Sequence, residues 1–254
     1  MYRLRSNICG DLRKNKALRY FKHFLFALAW LAMSCDSEEP VRGNDFDYFP
    51  LRKGLYHVYD VEEVKYVLGI PESASYQLKT VVVDSFLNAN EEYTYIIHRS
   101  RRSTEVDEWT ALETWTASRS GREAVVTEAN TPFVVLTFPL TKNAQWNGNK
   151  YNTVINPTTK ENEDLYTLEK KGINFDPGTN DPFADCIVVN QEDNQEFVVF
   201  FDKRNEVYAA GIGLVVKETT NLLYCNDQDR DCIGKQIVDD GIIYKQVLRE
   251  YGVE

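Results

Sequence analysis

The chain predicts an all-β fold, an antiparallel curved sheet or open barrel or else a sandwich, and three observations carry that expectation. Its 15 tyrosines and 13 phenylalanines stand against only 2 methionines, a balance that suits strands better than packed helices. Apolar residues alternate with polar ones in short runs, the period of a half-buried strand. Glycine, proline and asparagine separate the runs at regular intervals, as hairpin-connected sheets require.

Taken in order, the fold is expected to begin at Tyr48-Phe49-Pro50-Leu51, after a polar linker over residues 40–48. Residues 55–68 read as a strand with Tyr56, Val58, Val64 and Tyr66 on one parity, broken by Gly69-Ile70-Pro71-Glu72-Ser73. Residues 76–87 form the next strand, and Asn88-Ala89-Asn90 turns the chain. Tyr93, Tyr95 and Ile97 mark one apolar parity, and Trp109, Ala111 and Trp115 the following one. After a short strand over residues 124–127, Phe133-Val134-Val135-Leu136 suits a central strand or a sheet-to-sheet crossing. Asn147-Gly148 is a strong hairpin signal. Residues 165–171, 185–190 and 196–202 add three short strands, with a loop over 174–182. In the 208–218 stretch Ile212, Leu214 and Val216 share a face opposite Gly211 and Gly213. The bare face there either admits another backbone or ring or opens a ligand groove. Residues 241–251 close a count of about a dozen strands, with no long amphipathic helix.

Residues 24–39 decide where the protein works. Basic residues from Arg13 to Lys22 precede the apolar run from Phe24 to Met33, and Ser34-Cys35-Asp36-Ser37-Glu38-Glu39 follows. Ten apolar residues make about 15 Å of helix, half of the ~30 Å hydrocarbon core, so the run is an export signal rather than a membrane span. Leu31-Ala32-Met33-Ser34-Cys35 resembles the lipobox of bacterial lipoproteins, with Ala32 and Met33 departing from the stricter pattern. Ala32 and Ser34 also satisfy an ordinary secretory cut at the same bond. The resemblance implies a lipidated Cys35, whose acyl chains at ~0.8 kcal/mol per methylene would hold the protein at a bilayer. The expected organisation is a signal peptide over 1–34, a lipidated cysteine and acidic tether over 35–48, and a single antiparallel β domain over 49–254. The acidic group after Cys35 resembles the export tag of surface-displayed Bacteroidota lipoproteins and reads equally as a solvated tether.

Removing residues 1–35 takes seven basic residues and one acidic residue, which leaves a mature net charge of −16. A surface that acidic repels nucleic acid and anionic headgroups, so membrane contact must come from the lipid. Outside the signal only Cys186, Cys225 and Cys232 remain. An exported chain can oxidise them, and the short Cys225–Cys232 spacing predicts a disulfide worth about 2 kcal/mol, leaving Cys186 as a buried core thiol. Zinc lacks a nearby histidine. Asp227, Asp229 and Asp231 alternate like the first ligands of a calcium loop, but Cys232 and Val238 stand where glycine and glutamate belong. His57 and His98 are the mature histidines, no Gly-x-Ser-x-Gly elbow is present, and Gly211-x-Gly213 lacks a helix start after it. No catalytic, metal or cofactor residue is therefore assigned. Trp109, Trp115, Trp146, Tyr93 and Tyr95 read as core before they read as a sugar or lipid site.

The Phe49-Pro50-Leu51 entry, the Gly211-Ile212-Gly213-Leu214-Val215 run and the Tyr224-Cys225 to Asp231-Cys232-Ile233-Gly234 loop resemble a group of Bacteroidota outer-membrane lipoproteins. That resemblance implies no activity. The expectation is a lipid-anchored, outer-membrane protein that carries or senses a hydrophobic ligand, with an interaction or scaffold subunit as the alternative. A carrier would leave its concave side hollow and apolar, whereas a scaffold would fill it with its own aromatics.

Overall fold

The computed structural model describes residues 44–156, 160–179, 181–196 and 198–254. The segment expected to be an export signal, with Cys35, lies outside the described residues. Twelve antiparallel strands form one sheet: β1 (Leu55–Val67), β2 (Ile70–Leu87), β3 (Tyr93–Arg102), β4 (Thr110–Arg119), β5 (Glu123–Glu128) and β6 (Thr131–Thr137) make the first half. β7 (Gln145–Asn147), β8 (Leu165–Phe175), β9 (Phe183–Asn194), β10 (Phe200–Ala209), β11 (Gly213–Tyr224) and β12 (Val238–Val253) make the second.

The strand order is β6-β5-β4-β3-β2-β1-β12-β11-β10-β9-β8-β7, so each half is a meander and the two join where β1 pairs with β12. The free edges meet as well. Val134 of β6 donates its N–H to the Gly148 carbonyl at 2.9 Å, and the Trp146 indole N–H reaches the Val134 carbonyl at 2.9 Å. The sheet is thus nearly closed into a barrel, which leaves little exposed edge. Register shifts at Val58/Tyr59, Val82/Asp84, Arg99/Ser100 and Val207/Tyr208 mark bulges. Such bulges bend and twist the strands as closure requires.

The fold agrees with the all-β antiparallel expectation, but several local readings are corrected. Ile70 to Ser73 do not break the first strand; the turn is confined to Leu68-Gly69, and β2 begins at Ile70. Leu68 and Gly69 both have positive φ, which tightens the hairpin into two residues. The Arg99/Ser100 bulge makes Leu112 the extra residue of β4. Trp115 therefore faces the lumen, while Trp109 lies on the opposite face under Arg102, 4.4 Å from its guanidinium. Val198 and Val199 lie in a turn, and the strand follows at Phe200–Ala209. Residues 208–218 are likewise two strands joined by a turn at Ala210–Ile212.

Asn147-Gly148 does not make a two-residue hairpin, because β8 starts only at Leu165. The Asn147 carboxamide oxygen instead accepts the N–H groups of Asn149 (2.9 Å) and Asp164 (3.0 Å), holding the long connection. The connection is locked to the barrel by a fork in which Arg204 donates to both carboxylate oxygens of Asp164, at 2.9 and 3.0 Å.

Packed structure starts before Phe49. Asp45–Tyr48 form a 3-10 turn, which the sequence assigns to the tether, and Tyr48 is buried, donating its hydroxyl to Asp185 at 2.6 Å. Lys171 pairs with Asp45 at 2.6 Å, and Arg119 donates to the carbonyls of Phe46 and Phe49 at 2.8 and 2.7 Å. The turn is thereby tied to β4, β8 and β9 and covers one end of the barrel. At the other end Cys225 and Cys232 form a disulfide, with Cα atoms 5.8 Å apart, inside the β11–β12 loop. The loop's acidic residues serve the turn: Asp227 caps the Asp229 N–H at 2.9 Å, and Asp231 pairs with Lys235 at 2.7 Å. Cys186 is fully buried, and burial pushes its thiol up to about 11.

Candidate functional site

Inside the barrel a cavity is bordered by two packed clusters, one of which joins Tyr59, Val61 and Leu78 to Tyr76 and Tyr244. Tyr48, Trp146, Tyr166 and Tyr208 pack with Leu136, Leu168, Ile187 and Val189 into a solid cluster beneath β5 to β10. The remaining lumen encloses a cavity of about 470 Å³, within the range of small-ligand sites. Leu55, Leu78, Val82, Ile97, Leu214 and Ile242 give it a mostly apolar wall. Each of these residues lies on the inward parity of its strand, so the hollow is a consequence of side-chain alternation around a closed sheet.

The floor is set by the N-terminal segment. Phe49, Pro50 and Leu51 line the cavity together with the Ile212-Gly213 turn. Gly213, at φ +100°, brings its Cα against the Pro50 ring, where an added Cβ would sit 3.3 Å from Cδ. His57 closes the same corner by donating Nε2–H to the Ile212 carbonyl at 2.7 Å. A carbonyl can only accept, so the ring holds its proton on Nε2, and burial keeps its pKa below the ordinary histidine value despite that bond. His98 is exposed on the opposite face of β3.

A polar wall faces the lumen from β10 to β12. Lys217 on β11 pairs with Glu206 on β10 at 3.1 Å and with Glu128 on β5 at 3.6 Å. β5 and β11 are six strands apart in either direction around the sheet, so this ion pair spans the lumen and draws opposite walls together. Burial lowers the Lys217 pKa, but the two carboxylates outweigh it and hold the ammonium above its ordinary value. Tyr208 donates to Glu206 at 2.5 Å, Tyr244 to Gln246 at 2.6 Å and Tyr59 to the Leu214 carbonyl at 3.1 Å. Burial raises the pKa of all three tyrosines, so they stand in the lumen as neutral donors.

At the end away from the floor, Arg101, Leu112 and Glu113 line the cavity and are exposed, and they mark its mouth. The Arg99 guanidinium lies 3.6 Å over the Trp115 ring just inside.

No protein-family model matches the chain, and the curated proteins searched contain no match. Among solved structures, a Bacteroides fragilis protein described as exported and of YmcC-like fold is similar at 12% identity, over 80% of this chain and 98% of that one, with a TM-score of 0.39.

The aromatic residues singled out in the sequence divide three ways. Trp146 is core, Trp115 lines the cavity, and Trp109, Tyr93 and Tyr95 lie outside it. Gly213 lines the cavity, whereas Gly211 has open space where its side chain would be. The proline ring of Pro50 approaches Gly213, whereas aromatic rings approach other glycines, Gly148 under Tyr166 and Gly252 under Tyr56. Sequence reasoning missed Arg99, Lys217 and Glu206, which look like surface charges in a linear reading. Arg99 shares the parity of Tyr95 and Ile97, but Lys217 has the opposite linear parity to Leu214 and Val216 and reaches the lumen because the register shift at Val207/Tyr208 makes Val215 an extra residue of β11.

Proposed function

We propose that this chain is a lipid-anchored envelope protein, tethered through Cys35 at the outer membrane, that carries or senses a hydrophobic ligand in its barrel without catalysing a reaction on it. The mostly apolar cavity of about 470 Å³ carries this reading, since it stays open between two clusters packed with the protein's own side chains. A chain that needed the barrel only as a scaffold gains nothing from an open lumen, since unfilled apolar volume forfeits packing.

The test is solvent extraction of the protein purified from the envelope, together with binding of an environment-sensitive apolar dye. We expect a stoichiometric hydrophobic molecule in the extract, and dye binding weakened about tenfold or more in Ile97→Trp, which fills the lumen with only half-buried surface to rearrange. An empty extract with dye binding indifferent to that substitution would remove the carrier reading. For the anchor, Cys35→Ala is expected to move the protein to the soluble fraction; retention at the membrane would rule out lipidation.

The alternative, an interaction subunit of an outer-membrane assembly, draws on a different observation. Leu68 is 81% exposed and Ile70 66% at the β1–β2 tip. That tip lies beside the β11–β12 loop, joined by the Gly69 N–H to Asp239 carbonyl bond at 2.6 Å. Ile233 and Ile237 are exposed on that loop, so the two tips form one apolar fringe. Loss of co-purifying envelope proteins in Leu68→Ser/Ile70→Ser, with dye binding intact, would favour it.

A further inference from the structure

The cavity mouth carries a charge arrangement that the apolar wall does not need. Arg99 and Arg101 both face the lumen from β3, and the register sets Trp115 opposite Ile97 and Glu113 opposite Arg99 on β4. Arg99 lies flat on the Trp115 ring and donates Nη1–H to Glu113 at 2.5 Å. Glu113 is its only acceptor among the described residues, although a guanidinium offers five donors. Its Nε and the Trp115 indole nitrogen are buried with no acceptor among the described residues. Unpaired buried donors are disfavoured, and two of them side by side in a cavity wall indicate a missing acceptor.

Arg101 is in the same position with respect to charge. Among the described residues it has no carboxylate partner, and its guanidinium lies 6.0 Å over the Tyr76 ring. The other charged groups facing this region are already engaged: Lys217 by Glu206 and Glu128, and Glu63 by the Tyr76 hydroxyl at 3.4 Å. Glu113 keeps 39% of its side chain exposed at the rim, so it can turn to water when a second anion takes its place. In a protein whose charge is strongly negative, under-paired cations at the one described opening of an apolar lumen point to what enters there.

We propose that the ligand is a single-chain amphiphile with an anionic head, its chain in the barrel cavity and its carboxylate or phosphate held at the mouth by Arg99 and Arg101. The proposal rests on the carrier reading and sharpens it. Trp115 presets the plane of the Arg99 guanidinium, which suits two-point recognition of a carboxylate or phosphate, and Arg101 adds a second charge two residues along the strand.

The experiment uses the full chain in nanodiscs of neutral lipid, with empty nanodiscs as the blank, and displaces a bound apolar dye with dodecanoate, dodecyl phosphate or dodecanol. Dodecanoate, dodecyl phosphate or both are expected to displace the dye at about tenfold lower concentration than dodecanol, the ratio expected of charge-assisted hydrogen bonds. Which of the two acts identifies the head as carboxylate or phosphate. Arg99→Gln and Arg101→Gln should each erase most of that preference, read within each variant as the ratio of anionic-amphiphile to dodecanol displacement. Arg101 is exposed, so its variant tests the head-group contact even if Arg99→Gln fails to fold. Equal displacement by dodecanol overturns the head-group assignment and leaves the carrier reading standing. No displacement by any of the three overturns both.

Discussion

Gly148→Ala is expected to destabilise the barrel by roughly 3 kcal/mol, the upper end of what overpacking a core costs. The Tyr166 ring lies directly on the Gly148 Cα, and an added Cβ would stand 2.3 to 2.7 Å from three of its atoms. Neither partner can yield. Tyr166 is buried and held edge-on by Trp146, at 6.1 Å between ring centroids, while Gly148 is bonded on both sides, to Asp164 at 2.8 Å and to Val134 at 2.9 Å. Those bonds join β6 to the β7–β8 region, so the strain falls on the seam that closes the barrel. Urea unfolding of three variants checks this. Gly148→Ala/Tyr166→Leu should recover part of the loss, since neighbours in contact are not additive. Gly121→Ala should stay within about 0.5 kcal/mol of the parent, because nothing lies within 4 Å of its would-be Cβ. A Gly148→Ala midpoint equal to the parent's would mean that the seam is not closed as described.

The second large effect is expected at the ion pair across the lumen. Lys217→Met should cost about 3 kcal/mol, the low end for removing one partner of a buried pair. Among the described residues Glu206 would keep the Tyr208 hydroxyl alone, with its own side chain 4% exposed, and Glu128 would lose its contact with the far wall. The low end is appropriate because Lys217 is closely surrounded yet has 26% of its side chain exposed, and that exposure faces the lumen. Lys217→Met/Glu206→Gln should recover most of the loss by removing the stranded charge while preserving a partner for Tyr208. If the single variant unfolds within 1 kcal/mol of the parent, lumen water rather than Lys217 balances the carboxylates.

Much of the sheet was legible because period-2 alternation and turn residues are local signals. The boundaries of β1, the turn at residues 88–90 and the short β5 strand all follow from them. Bulges are not local. The extra residue at Leu112 inverts the parity of β4, so Trp109 and Trp115 cannot share a face although their spacing says they should. The Asn147-Gly148 dipeptide shows the same limit from another side. Its glycine is required, but by a ring from a strand that begins seventeen residues later, not by a hairpin turn.

Residue types and their alternation by themselves determined an all-β antiparallel fold, a strongly acidic chain and a cysteine pair close enough to bridge, because each is read from composition or from neighbours within a few positions. Tertiary structure alone decided that the sheet nearly closes, that a cavity stays open in its lumen, and that Arg99, Lys217 and Glu206 line it. Closure joins β6 to β7 and brings Glu128 to Lys217 from opposite walls, and inward parity then follows from bulges set by partner strands. A charged residue on a strand looks the same in the sequence whether water or a cavity lies above it.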